Sequence, residues 1–391
     1  MFIKNYTTIG LFLITSVYTG INKYSINEAT FSYSSTTKYQ ITKSRIPETI
    51  NIGLLIPEPG LANELASAAI RGAEIAINQY NSKSEQNKQL VLKLIVRSCE
   101  GPWGAGSKAA VDLVFEDKVV AILTSLDGRN AHLAEQVIAK TKVAMISTYE
   151  TDPTLSQAFV PWYFRCIPND IQQAAVLTEE IVKRKISKII IISDDGYDGK
   201  LASDHFVKKL ASMGKVKPIQ IIYNYLNPDF KKVFEQIHSS GIKNIMVFGR
   251  PETTLQLVKL LKEKNLKVNI FGSLSVMGEY EILTESLKYL ENSVLLTSDH
   301  WFTAKGLEFS EEFNDLFGYQ PGNAATYAYD GMNVILGAIT KTGTSREKII
   351  EEITKTRYEG VTGIIQFDEK GNRMGKPCLM EIKNEIPVKL K

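Results

Sequence analysis

The sequence is poor in the residues that carry covalent and metal chemistry. It holds three cysteines and four histidines among 391 residues. Cys99, Cys166 and Cys378 lie far apart, an odd count cannot be fully paired within one chain, and no C-x-x-C spacing points to a metal. The chain therefore does not depend on a disulfide framework, which fits the cytoplasm or an exported protein that lacks disulfides. His132, His205, His238 and His300 show no ligand spacing and read as surface or cap residues. There is no G-x-x-x-x-G-K-[ST] phosphate loop, no G-x-G-x-x-G after a strand, no G-x-S-x-G elbow and no H-E-x-x-H. Acids are plentiful at the expected strand ends (Glu58, Asp127, Glu150, Asp152, Asp194, Asp195, Asp198), but none is paired in sequence with a base or nucleophile. Two carboxylates from separate loops could in principle serve a hydrolase. The reading taken is that the chain is not an enzyme and uses neither cofactor nor metal.

Charge of one sign is also missing. The net charge is +3 and no dense basic run occurs, which argues against nucleic acid as a partner. No apolar run is long enough to span a bilayer. The longest near the start, Ile9–Tyr18, is about ten residues and follows Lys4 without an acid, the pattern of a signal-peptide core. Residues 1–24 are expected to be a signal peptide. Residues 25–46, where Thr30–Ser44 is rich in Ser, Thr and Tyr, are expected to be a flexible tether. The expected location is periplasmic or otherwise extracytoplasmic. No cysteine precedes Cys99, so a lipid-anchored version of the export signal is not expected.

What the chain does have is alternation. Hydrophobic content of 44% and charge of 23% are ordinary globular values, and the length suits two or more domains. Short apolar runs rich in β-branched residues alternate with helical patterns from Pro47 onward, as in parallel α/β sheets. Ile50–Ile56, Leu90–Val96, Val119–Leu123, Val143–Ser147, Lys188–Ser193, Ile219–Tyr223, Asn244–Phe248, Val268–Phe271 and Val294–Thr297 read as strands. Asn63–Tyr80 reads as a helix whose small face (Ala69, Gly72, Ala73, Ala76) would pack close to a sheet. Asp170 is expected to cap a helix running to Lys183, and Asp194–Gly199 to form a loop. Three helices (Leu307–Leu316, Asn323–Thr340, Ser345–Thr356) are followed by an expected hairpin of Gly363–Phe367 with Cys378–Ile382, turning near Gly371.

The segment Val119–Leu155 organises the rest. Its two strands enclose one crossover helix, so both strand ends fall on the same edge of the sheet. Open α/β sheets bind ligands at the carboxyl ends of their strands. Those ends carry Ser125, Asp127, Gly128, Arg129 and Asn130 on one loop and Tyr149, Glu150 and Thr151 on the next. This is a polar, aromatic, hydrogen-bonding set. Asp127 or Asn130 could equally serve only as a helix cap.

Several motifs in this order resemble type I periplasmic binding proteins, specifically the branched-chain amino-acid (Leu/Ile/Val) type of ABC-transporter substrate-binding protein. They are INIGLLIPEPG, RGAEIAIN, MISTYETDPTL, WYFRCIPNDIQQ, IIIISDDGYDGKLA, NPDF before a helix, ATYAYDGMNVI and GIIQFDEKGN. The resemblance spans roughly Ile50 to Lys383. It implies two Rossmann-like lobes joined by three crossover strands, near Arg165–Pro168, Thr297–His300 and Gly360–Gly363. Residues 47–167 plus 298–360 would form lobe 1, and residues 168–297 plus 361–391 lobe 2. It also implies a small-molecule ligand in the interlobe cleft, a membrane ABC permease as partner, and a monomer. A ligand sensor of the same fold without transport is the alternative. The site residues it points to are Ser125, Asp127, Gly128, Arg129, Tyr149, Glu150, Thr151, Tyr197, Arg250 and Ser275. The family's ammonium-binding glutamate, in a G-P-E context, is replaced here by Gly272-Ser273-Leu274. An ammonium would then need Glu150 or Asp127, while Arg129 suggests an anionic ligand group, because its fork binds carboxylates bidentately.

Overall fold

The computed structural model describes residues 48–57, 63–85, 90–99, 105–158, 160–214 and 217–390. The expected signal peptide and tether, and the loops holding Glu58 and Trp103, lie outside the described residues.

The chain first lays down a parallel sheet. β1 (Glu48–Ile56) is followed by α1 (Asn63–Glu85), β2 (Leu90–Ser98), α2 (Ala105–Phe115), β3 (Ala121–Thr124), α3 (Gly128–Thr141), β4 (Ala144–Ser147) and β5 (Tyr163–Arg165). The strand order is β2-β1-β3-β4-β5, all parallel, with Leu55 opposite Thr124 and Thr124 opposite Ser147. β3 and β4 are buried throughout, as strands covered on both faces must be.

After Arg165 the chain enters a second α/β layer. α4 (Asp170–Lys183), β6 (Lys188–Asp194), α5 (Tyr197–Ser212), β7 (Lys217–Tyr223), α6 (Phe230–Ser240), β8 (Asn244–Phe248), α7 (Pro251–Glu263), β9 (Asn269–Gly272), α8 (Tyr280–Tyr289) and β10 (Val294–Thr297) follow in turn. α8 had no counterpart in the sequence reading. α5 starts at Tyr197, so the loop after β6 is shorter than expected. Asn169, not Asp170, caps α4: it forms a capping box with Gln172, which leaves the Asp170 carboxyl for other uses.

The chain then returns to the first layer with α9 (Ala304–Phe317), α10 (Asn323–Thr342), α11 (Arg346–Thr354), β11 (Arg357–Gly360) and β12 (Gly363–Gln366). It ends in the second sheet with β13 (Cys378–Lys383) and β14 (Ile386–Lys389). That sheet has the order β14-β13-β10-β9-β8-β6-β7, antiparallel only at β10–β13 and β13–β14. The result is mixed α/β with two lobes built on parallel sheets.

Two expectations change here. The hairpin of Gly363–Phe367 with Cys378–Ile382 does not form: β12 pairs with β11, and β13 pairs with β10 and β14. The alternation that suggested a strand is real, but it turns Ile365 and Phe367 into the first lobe's core, beside Phe164. The third crossing therefore comes after Asn372, not at Gly360–Gly363. Asn372 bridges to Arg165, and Gly371 (φ 76°) makes that approach possible, since a Cβ there would lie 2.1 Å from the Tyr163 carbonyl oxygen. The small face of α1 also meets a helix more closely than a sheet. A Cβ on Gly72 would sit 2.1 Å from the backbone oxygen of Ala325 in α10.

This contact gives a stability prediction. Gly72→Ala should destabilise the protein by about 1–3 kcal/mol through overpacking against a backbone atom, outweighing the helix propensity of alanine. Denaturant unfolding checks it; a gain in stability would show that the two helices do not pack this way.

Candidate functional site

In both sheets the strand order reverses beside the first strand: between β1 and β3 in one lobe, between β6 and β8 in the other. At such a reversal the two neighbouring connections leave to opposite faces, and the crevice at the strands' carboxyl ends receives ligands. A cavity of about 400 Å³ lies there, lined from both lobes. A larger groove of about 510 Å³ runs along the opposite edge of the second sheet, past Lys188, Asn244 and Asn269 at the starts of their strands. It lies away from every strand end that carries chemistry.

The cavity brings together nine of the ten expected residues: Ser125, Asp127, Arg129, Tyr149, Glu150 and Thr151 from lobe 1, and Tyr197, Arg250 and Ser275 from lobe 2. Gly128, the tenth, is buried and donates its N–H to Asp198 Oδ1 across the interface, at 3.1 Å. A Cβ there would lie 2.7 Å from Asp198 Oδ1 and 3.1 Å from the Tyr197 ring, so a larger residue would displace these side chains.

The residues differ in how free they are. Asp127 caps α3, accepting from the Asn130 backbone at 2.9 Å and from its side-chain amide at 2.8 Å. Glu150 is not available to a ligand ammonium. Its buried carboxylate accepts from Ser147 (2.5 Å), from the Tyr163 hydroxyl and from Arg165 Nε (3.1 Å). Burial raises its pKa, opposed by Arg165 and these hydrogen bonds. Arg129 pairs with neither Asp127 nor Glu150. It is exposed, with its guanidinium carbon 5.7 Å from the centre of the Tyr197 ring. Arg250 lies similarly over Tyr225, at 4.5 Å. Arg129 of lobe 1 thus lies over an aromatic face of lobe 2, and Arg250 over one of its own lobe. Ser125 is 2% exposed and its hydroxyl has no partner in the protein. Ser275 bonds Ser273 at 2.8 Å. The Thr151 carbonyl accepts from the Asp170 N–H at 2.9 Å.

Further contacts across the cleft bring in residues beyond those expected. The Tyr197 hydroxyl donates to Asp152 Oδ2 at 2.8 Å. Burial works against ionised Asp152, yet hydrogen bonds from His132, Thr154 and Tyr197 hold its carboxyl well below the ordinary range. His132 Nε2 lies 2.9 Å from Asp152 and its Nδ1 3.6 Å from Glu135. These two acids push the imidazole up to about 9. At the other end, Glu279 of lobe 2 accepts from the N–H groups of Gly322 and Ala324 at the start of α10, both at 2.7 Å. Burial raises that carboxyl to about 8, although the favourable helix N-terminus opposes the shift. Asp152 was visible in the sequence only as one of several strand-end acids, and Glu279 carried no local signal, because its partners are distant in sequence.

The family model for periplasmic binding proteins matches residues 49–383, and the chain belongs to that family. It is thus a solute-binding protein and not an enzyme. The chain is 25% identical to the leucine-, isoleucine-, valine-, threonine- and alanine-binding protein of Pseudomonas aeruginosa, over 84% of this chain and 88% of that protein. It is 24% identical to glutamate receptor 3.7 of Arabidopsis thaliana over 86% of its own length, but spans only 40% of the receptor. Among solved structures it resembles the branched-chain amino acid transporter substrate-binding protein LivJ of Streptococcus pneumoniae in complex with isoleucine. There the TM-score is 0.77 at 18% identity, covering 88% of this chain and all of that one, a likeness of fold. No helix among the described residues is long and apolar enough to cross a membrane.

His132 gives a pH prediction. Its folded pKa, about 9, lies above the ordinary 6.5, so the stability it contributes is fully present below pH 6.5 and is lost as pH rises through 9. The melting temperature should fall over this window, and His132→Gln should flatten the fall. An unchanged slope in the variant would show that His132 is not held charged by Asp152 and Glu135.

Proposed function

We propose that this chain captures a small polar or amphipathic solute (an amino acid, an amino-acid-like compound or an organic acid) between its lobes, outside the cytoplasmic membrane, and delivers it to an ABC permease. The observation that carries this reading is the cavity at the carboxyl ends of both sheets, lined from both lobes by hydroxyls, carboxylates, two guanidiniums and three tyrosines. Its size suits a small molecule, and its polar groups come mostly from loops that separate when a hinge opens. The expected leader on residues 1–24 and the family's extracytoplasmic members support the location.

Within the site, Arg129 with Ser125 and Thr151 would hold an anionic group of the ligand at the start of α3, whose N-terminus also favours negative charge. Tyr149 and Tyr197 would flank its body. A sensor of the same fold without transport is the second reading, favoured by the similarity to a plant receptor over most of this chain. Solute uptake that survives deletion of the gene, with loss of a response to the same solute, would select the sensor.

Thermal-shift screening against amino acids, organic acids and aromatic acids should find ligands that raise the melting temperature, because they bind only the folded state. With such a ligand, calorimetry on Arg129→Ala should show at least about a tenfold loss in affinity, the scale of a charge-assisted contact of roughly 1.5–3 kcal/mol. Binding within twofold of the parent would remove Arg129 from the site.

A further inference from the structure

The charge of the cleft is lopsided. Asp127, Asp170, Asp194, Asp195, Asp198 and Glu252 line it, against Arg129 and Arg250. None of the six carboxylates forms an ion pair with a lysine or arginine among the described residues. The two guanidiniums are exposed and lie over Tyr197 and Tyr225, whereas Asp170 and Asp194 are 4% and 3% exposed. Desolvated carboxylates without a cation are costly. Ser125, buried on the lobe 1 side, adds a hydroxyl with no protein partner. No group of His, Cys, Asp or Glu among the described residues is arranged to hold a metal ion, so the missing positive charge suits an organic cation.

Building on the solute-binding reading above, we propose that the ligand is a basic amino acid, one with a second cationic group beyond its α-ammonium. Its carboxylate faces Arg129, Ser125 and Thr151, and its two cationic groups face the acids that converge from the loops after β6 and β8 and from the start of α4. This answers the missing family glutamate: the negative charge is supplied by lobe 2 and by Asp170 instead of by the segment Gly272-Ser273-Leu274.

The protonation of these acids supplies an independent signature. Burial, then the neighbouring Asp127 charge, pushes Asp198 up to about 7; Glu150 and Asp152 add to the rise, and the Gly128 N–H opposes it. Burial likewise raises Asp170, with Asp198 and Asp152 adding to the effect and Thr151 and Arg165 opposing it. A cation placed beside Asp198 lowers its pKa, so binding near pH 7 releases protons. Affinity for a basic ligand should therefore rise between pH 5.5 and pH 8, and more steeply than that for leucine, which brings one cationic group instead of two.

The test is isothermal titration calorimetry on the full chain with L-lysine, L-arginine, L-leucine and L-glutamate, repeated in buffers of different ionisation enthalpy. The expected result is that lysine or arginine binds at least tenfold more tightly than leucine or glutamate, with protons released at pH 7. Asp198→Asn and Asp194→Asn should each weaken the basic ligand at least fivefold more than they weaken leucine. Leucine or glutamate binding as tightly as the basic pair overturns this inference and leaves the solute-binding reading intact. A melting temperature raised equally by calcium or magnesium alone overturns it in favour of a metal. If no compound in the wider screen binds, both readings fail. Should an Asn variant not fold, the proton release and pH dependence of the parent still decide.

Discussion

The site depends on a buried ion pair at its edge, between Glu150 and Arg165. Arg165, at the end of β5, is fully buried and holds three groups on two segments: the Glu150 carboxylate and the Asp152 carbonyl on the loop after β4, and the Asn372 side chain at the third crossing (2.8 Å). A buried pair is tolerable only when the remaining donors and acceptors are satisfied, and leaving one charge alone costs several kcal/mol. Here Ser147 and Tyr163 complete Glu150, while Asp152 and Asn372 complete Arg165. Next to it, Arg373 donates to the Cys166 carbonyl and to Thr362, and Asp330 accepts from Val361 and Thr362. The crossings between lobes are thus pinned in a polar core, and the loop bearing Tyr149, Thr151 and Asp152 is pinned with them.

That arrangement explains how the two lobes present a fixed site while remaining separable. The contacts within the crossings are buried. The hydrogen bonds across the cleft join Tyr197 to Asp152, Asp198 to Gly128, Asn323 to Leu274 and Glu279 to the start of α10, beside the ring contacts of Arg129 with Tyr197 and of Tyr280 with Tyr319. Hydrogen bonds of this kind have modest net worth because water replaces them on opening. A ligand that bridges the lobes can therefore shift the balance between open and closed forms.

Much of the architecture was legible because buried parallel strands announce themselves. Asn244–Phe248 and Val294–Thr297 have the observed limits, β4 falls within the run read for it, and β3 overruns its run by Thr124 alone. The failures have particular causes. β11 is short and exposes Arg357 and Glu359, so nothing in the sequence marks it as a strand, and β12 is left without its true partner. Asp170 looked like a cap because it precedes a helical pattern, but Asn169 one residue earlier performs that task. In the site, Ser125 and Tyr149, read from strand-end position, and Tyr197, Arg250 and Ser275, expected from the resemblance, line one cavity. Strand-end position could not reveal that Glu150 is consumed by Arg165, since the partner lies fifteen residues away on another strand.

The central claim is that the cavity between the lobes closes on a ligand. Small-angle X-ray scattering with and without a saturating ligand tests it most directly. The account predicts a smaller radius of gyration in the bound form, with the lobes' own dimensions unchanged. An identical profile at saturation, for a ligand whose affinity depends on residues of both lobes, would contradict hinge closure.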